Sequence, residues 1–340
     1  MAKLQHSITL MIPLAVDGRD RFNDRQMLPK SRCIMVVLLA GLVLIATAAA
    51  YLFFSFALSA GSGPAGPAVD RHSFSAAWTQ RHVLLVGLGD SVTAGFGARK
   101  GYSYFDRLAR NPVDEFPEMN GVCLASVFPN FQCTNLSVSG STSSEVPQRQ
   151  LNLLPTNTPD VFGLVVMTTG GNDIIHNYGR TPPREEAMYG ATLDEAKPWV
   201  ENYSRRLEST LAQIESRFPG GCEIFLANIF DPTDGVGDAQ HAGLPAWKDS
   251  LSILDAYNTV LRRAAEIHPG VHLVDMHQAL LGHGIHCTQF WRAHFDWHDP
   301  HYWFFYNLED PNERGYDVIR RLFLLEIAKV KDRIPHGGSL

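Results

Sequence analysis

The sequence predicts an α/β domain: a mostly parallel sheet of five strands with helices on both faces, preceded by a transmembrane helix. Three observations predict it. Five short runs rich in Val, Leu and Ile have the composition of strands buried on both faces. Amphipathic stretches and long loops separate those runs, and strand and helix alternation of this kind produces parallel sheets. Ahead of both, from Cys33 to Ala60, lie 28 residues without a formal charge.

That leading stretch comes first in the chain. About 20 apolar residues suffice to cross a bilayer, so a transmembrane anchor is expected over 33–58. Arg19, Arg21, Arg25, Lys30 and Arg32 precede it, and the first positive charge after it is Arg71. The excess of basic residues on the N-terminal side predicts a single-pass protein with 1–32 in the cytoplasm and the remainder extracytoplasmic. Cleavage and secretion is the alternative, with Ala48 to Ala50 or Ser59-Ala60 as the small residues a signal peptidase accepts. The segment "SAGSGPAGPAVD" opens a linker over 59–80, expected to be a flexible tether.

The folded domain is then expected over 81–333, with a short tail at 334–340. Its strands are "HVLLVGL" (82–88), "TNLSVS" (134–139), "FGLVVMTT" (162–169), "CEIFLANIF" (222–230) and "VHLVDM" (271–276). Trp199, Tyr203, Leu207, Leu211, Ile214 and Phe218 recur at spacings of three and four and form one apolar stripe of a helix. The stretches 251–267 and 315–330 have the same character. Cys123 and Cys133 close a small loop and are expected to form a disulfide in an oxidising compartment, with Cys222 and Cys287 as free thiols.

Composition limits the function. The chain has 340 residues, 45% hydrophobic and 19% charged, enough to bury a large core. A net charge of -6, with no Lys/Arg run after residue 100, argues against nucleic acid as a partner. "GLGDSV" lacks the third glycine of a dinucleotide fingerprint and no Walker lysine is present, so no cofactor is expected.

In a parallel sheet, ligands bind beyond the carboxyl ends of the strands. The residues there are "GDSVTAGFG" (89–97), "GSTSSE" (140–145) and "GGNDIIH" (170–176). Ser91, flanked by Gly89, Gly95 and Gly97, is a candidate nucleophile. The Gly140 N–H and the Asn172 side-chain amide reach the same edge, and with the Ser91 N–H they make three converging donors for a developing oxyanion.

"GDSVTAGFG", "NLSVSGSTS" and "GGND" resemble, in order and spacing, the first three blocks of the SGNH (GDSL-type) hydrolases. "PNERGYDVIRRLF" (311–323) is similar to the segment that follows the family's fourth block. The resemblance implies a flavodoxin-like three-layer α/β/α fold and an esterase without a metal. It also implies Ser91 as nucleophile, with Ser91, Gly140 and Asn172 forming the oxyanion hole. The implied substrate is a lipid, glycan or small-molecule ester; the membrane is expected to be engaged through the N-terminal helix read above.

The last block departs from that pattern. Aligning on Pro311 and Asn312 puts Asn307 and Asp310 where the family has Asp and His. A carboxylate is a poor base at its ordinary pKa, about 2.6 units below that of histidine, unless burial raises it. The base is therefore expected among the upstream histidines His277, His283, His286, His294, His298 and His301. His301, with Asp299 two residues earlier as its orienting group, and His283 directly after the fifth strand are the leading candidates. His294, His298 and His301 have zinc-like spacing, but Pro300 opposes a helix there and no metal is expected. The aromatics of 291–306 are read as a packed loop or a substrate wall, and "DPTDGVGD" (231–238) as a turn cluster beside the site. Two alternatives to a hydrolase stay open: an acyltransferase that passes the acyl group to a glycan hydroxyl, and a binding protein that has lost its base.

Overall fold

The computed structural model describes residues 30–335. Arg19, Arg21 and Arg25, and the end of the tail, lie outside the described residues. Helix α1 (Lys30–Phe56) contains an apolar stretch, Ser31–Phe56, with mean hydropathy 2.7 and none of its most apolar window buried. It is long and apolar enough to cross a membrane.

The folded domain holds five strands: β1 (His82–Gly89), β2 (Phe131–Asn135), β3 (Val161–Thr168), β4 (Cys222–Ala227) and β5 (Val271–Val274). All pair in parallel in the order β2-β1-β3-β4-β5. The chain leaves β1 for the edge at β2 and returns past β1 to β3, so the strand order reverses between β1 and β3. That is where a ligand crevice opens in a sheet of this kind.

Alternate residues of the central strands feed two cores. Val83, Leu85, Phe162, Leu164 and Val166 face one, and Val86, Leu88, Val165 and Met167 the other. Besides the short helices α2 (Ser91–Ala94), α4 (Leu124–Val127), α5 (Gly171–Ile175) and α8 (Met276–Leu280), four helices make the outer layers. The first core is closed by α3 (Tyr104–Ala109) and α9 (Glu313–Lys329), the second by α6 (Leu193–Ser216) and α7 (Ser250–Ile267).

Helix α6 starts six residues before the expected stripe. Thr192 accepts from Glu195 N while Glu195 bonds back to Thr192, a capping box that fixes the first turn.

Three expectations are corrected. The second strand is Phe131–Asn135, not 134–139: it is a half-exposed edge strand paired only with β1, and its apolar sequel is a loop. Cys123 and Cys133 form no disulfide. Cys123 is buried at the start of α4 with its Sγ 3.2 Å from the Ser126 hydroxyl, whereas Cys133 is exposed on β2 opposite Leu85. Residues 59–70 are packed rather than free. Ala65 and Val69 are buried, and Ala65 N donates to the Asp317 carboxylate on α9 at 3.0 Å.

Candidate active site

Ser91 begins α2 immediately after β1, half-buried at the carboxyl edge of the sheet. Two residues aim it. Gly89 has φ +115°, and a Cβ there would stand 1.8 Å from the Thr168 carbonyl oxygen, so only glycine lets β1 run this close to β3 before turning. Asp90 is buried and accepts from Val92 N (3.1 Å) and from the Thr168 hydroxyl (2.6 Å). Burial pushes its carboxyl up to about 6, with those bonds opposing the shift.

The neighbouring loops are wired to the same point. Gln150 receives the Gly89 N–H and donates to the Gly89 carbonyl, both at 2.7 Å, and reaches the Ser141 hydroxyl at 3.2 Å. Gly140 is exposed in the loop after β2, at φ +82°. On α5, Asn172 is buried and donates one amide hydrogen to the Ser141 carbonyl at 2.9 Å, which leaves its second amide hydrogen uncommitted. Asp173 anchors the loop from behind through Ser143 N (2.8 Å) and Oγ. Gly89, through Gln150, and Asn172 are thus both tied to Ser141, the residue after Gly140.

Ser91 and Asn172 line a cavity of about 330 Å³. Its walls are mostly apolar, with Ile229, Phe230, Leu244, Trp247, Leu254 and Ile285 among them. Tyr306, Asn307, Leu308 and Glu309 border it as well, so the last-block segment reaches the site.

No histidine lines this cavity among the described residues. His283 is buried, stacked on Trp303 with ring centroids 3.2 Å apart, and its Nδ1 meets the His301 carbonyl at 3.1 Å. His301 Nδ1 meets one Asp299 carboxylate oxygen at 2.5 Å, and Arg314 binds the other, making a partly buried charged cluster. His277 bonds the Ile229 carbonyl, and His286 bonds Asp238. His294 lies over Gly235, and His298 is exposed. The structure therefore places Ser91 and Asn172 on one cavity, with Gly140 not among its lining residues, and leaves His283, His301 and Asp299 outside it.

The groups that do meet Ser91 come from the mismatched block. The Ser91 hydroxyl interacts with the buried Asp310 carboxylate, and Asn307 Nδ2 donates to Asp310 Oδ2 at 2.7 Å. Oδ1 is buried with no hydrogen-bond partner, so the Ser91 hydroxyl acts on the carboxylate from outside normal hydrogen-bond geometry. Contacts of this kind commonly tighten only when substrate arrives. Burial raises the Asp310 carboxyl above its ordinary value, against the opposing pull of Ser91 and Asn307. The alignment on Pro311 and Asn312 pointed to both residues, and their residue types alone argued against them.

Other expectations resolve locally. Asp231 and Asp234 are turn residues: Asp234 accepts from the N–H groups of Gly282, Gly284 and His286 and ties the two loops together. Tyr302, Trp303 and Phe304 are core, and Tyr306 faces the cavity. Asp238, His241 and His286 have potential metal-ligand atoms within 4.8 Å of one another. There His286 Nε2 is engaged by Asp238 and His241 Nε2 by the Ser55 carbonyl.

Residues 88–318 match the GDSL-like Lipase/Acylhydrolase family. The chain belongs to this family. No curated protein matches it. Among solved structures, it is similar to an extracellular lipase from Streptomyces rimosus, with 19% identity over 72% of this chain and 99% of that one (TM-score 0.46). A phospholipase A1 from Streptomyces albidoflavus is 22% identical over 71% and 97% of the two chains (TM-score 0.42). An acetylxylan esterase from Geobacillus stearothermophilus is 19% identical over 73% and 95% (TM-score 0.44). Family membership makes the protein an ester hydrolase.

Proposed function

We propose that this GDSL-family hydrolase is a membrane-tethered, extracytoplasmic serine esterase that cleaves esters of an apolar acyl group through an acyl-enzyme on Ser91. One observation carries the reading: Ser91 and Asn172 both line one mostly apolar cavity. In this reading the acyl chain lies in the cavity. Its carbonyl oxygen turns toward the Ser91 and Gly140 N–H groups and the Asn172 side chain, donors that stabilise the charge of the tetrahedral intermediate. The tether is supported by α1 and by Lys30 and Arg32 at its N-terminal end.

The test is a p-nitrophenyl ester series from acetyl to decanoyl. Burying one methylene contributes about 0.8 kcal/mol, so kcat/KM should rise roughly fourfold per methylene until the cavity is full. Ser91→Ala should abolish the whole series. A flat series, or one that peaks at acetyl, would remove the acyl-chain assignment.

A further inference from the structure

An esterase needs an acceptor for the serine proton, and among the described residues no imidazole lines the Ser91 cavity. We infer that Asp310 is the general base, oriented by Asn307. The inference rests on the reading of Ser91 as nucleophile.

The local backbone is built to present this carboxylate. Phe304 and Pro311 pair as an antiparallel bridge, and Phe305 N donates to the Asp310 carbonyl at 2.7 Å, closing a tight loop over 305–310. Inside that loop Asn307 Oδ1 accepts from the N–H groups of Glu309 (3.3 Å) and Asp310 (3.2 Å), while its amide holds Asp310 Oδ2. Both ends of the Asn307 side chain are thus committed to fixing Asp310. The loop in turn packs against the nucleophile's side of the molecule, the Phe305 ring lying edge-on to Phe96 with centroids 6.1 Å apart, while Tyr316 on the following α9 donates to the Phe96 carbonyl at 2.7 Å.

What remains is Oδ1: Asp310 is 2% exposed, this oxygen is buried with no hydrogen-bond partner, and Ser91 is the other side chain besides Asn307 that acts on the carboxylate. A buried carboxylate oxygen left in this state is costly and calls for a reason. The titratable groups around Asp310 are Asp90, Glu309, Tyr178 and Tyr316, none of which brings a positive charge. No cation forms an ion pair with it among the described residues, so it is not a structural salt-bridge member. Burial without a counter-charge also makes it more basic than an ordinary aspartate.

The paired replacement is consistent in charge. An Asp/His pair carries one negative charge at rest and none after taking a proton. Asn307/Asp310 does the same, since protonated Asp310 is neutral and needs only a neutral amide beside it. A carboxylate at 307 would repel Asp310 and serve no imidazolium.

The proton steps balance. As Ser91 Oγ bonds the acyl carbon, its proton moves to Asp310 Oδ1 and the carbonyl electron pair shifts to the oxyanion. When the ester C–O bond breaks, Asp310 returns the proton to the leaving alkoxide. Water then gives its proton to Asp310 while bonding the acyl carbon. Ser91 departs from the acyl group and regains that proton, and the carboxylic acid is released.

The experiment uses the full chain in detergent with p-nitrophenyl octanoate. Wild type, Ser91→Ala, Asp310→Asn, Asp310→His, His283→Ala and His301→Ala are compared at matched folded concentration. Asp310→Asn is expected to lower kcat by a factor of about 100 or more with KM little changed, the order lost with a general base. Asp310→His is expected to recover at least tenfold of that loss, and the two histidine variants to stay within threefold of wild type. Should Asp310→Asn fail to fold, the acid limb of the wild-type pH profile decides. A carboxylate ionises with almost no enthalpy, so the limb should not move between 10 and 40 °C, whereas an imidazole limb would shift downward. The inference is overturned if Asp310→Asn keeps more than a third of wild-type kcat, or if the limb shifts with temperature. If instead wild type is no more active than Ser91→Ala, the reading of Ser91 itself fails, and the inference falls with it.

Discussion

Two buried carboxylates in this domain, Glu115 and Asp310, meet opposite surroundings. Glu115 lies in the α3/α9 layer with Arg107 and Arg320 on its oxygens, all three with almost no exposed side chain. Burial alone would raise its pKa, but the two guanidinium groups outweigh that and hold it at about 2. Asp310 is as deeply placed, yet its partners are one amide and one hydroxyl, and its pKa is raised. A carboxylate locked between cations is permanently charged and inert, which suits a structural joint. One left with neutral donors can gain and lose a proton, which suits a base.

The sharpest way to break the comparison is to neutralise each group in turn. Glu115→Gln leaves Arg107 and Arg320 buried beside Asp317 with too little negative charge. Removing one partner of a buried pair typically costs about 3–5 kcal/mol. Chemical denaturation should show a loss of that size, while kcat per folded molecule stays within twofold of wild type. Asp310→Asn should do the reverse. It should not lower the denaturation midpoint, because no ion pair is broken, and should remove about 100-fold or more of kcat, equivalent to roughly 2.7 kcal/mol in the barrier. Loss of stability without loss of rate in Asp310→Asn would erase the distinction.

pH separates the two groups next. The folded Glu115 value of about 2 lies below its ordinary 4.5. Its contribution is therefore complete above pH 4.5 and is lost as the pH falls toward 2. Asp310 runs the other way. Its raised pKa means that the folded state binds the proton more tightly, so any stability it adds is present at low pH and disappears as the pH rises through its folded value. Activity should climb over that same interval, since only the ionised carboxylate accepts the serine proton. Denaturation curves and kcat/KM collected from pH 3 to 9 should thus show stability and activity changing in opposite senses as Asp310 titrates.

The same contrast explains what the sequence made readable. The sheet was legible because its central strands are buried on both faces and read as unbroken apolar runs. The edge strand β2 was misplaced because its half-exposed residues carry no such signal. Ser91 and Asn172 were legible as neighbours because each lies just beyond the end of a central strand, so topology brings both to one cavity, whereas Gly140 lies further along the loop that follows β2. The base side was not, because Asp310 sits at the end of a 30-residue loop region whose path depends on contacts such as Asp234 with the 282–286 backbone. Histidine chemistry favoured His283 and His301, whereas packing put one against Trp303 and the other beside Asp299 and Arg314. The disulfide expected from Cys123 and Cys133 failed for a similar reason: proximity in sequence says nothing about which side of an edge strand each thiol faces.

The smallest expected effect tests the charge argument for Asn307. Asn307→Asp restores a carboxylate at a position where the family carries one, and for a histidine base that change would be favourable. Beside Asp310 it sets two carboxylates at the 2.7 Å contact now made by the amide. Like charges this close titrate as a coupled pair, and one of the two protons becomes harder to remove. The acid limb of kcat/KM should therefore move up by on the order of one pH unit or more, with most of the wild-type rate recovered at pH 9. In Asp310→His the sign should invert, because a carboxylate at 307 now faces an imidazolium and stabilises it. The double variant Asn307→Asp/Asp310→His should then be faster than Asp310→His alone. A faster Asn307→Asp single variant at neutral pH would mean that the proton goes to some other group.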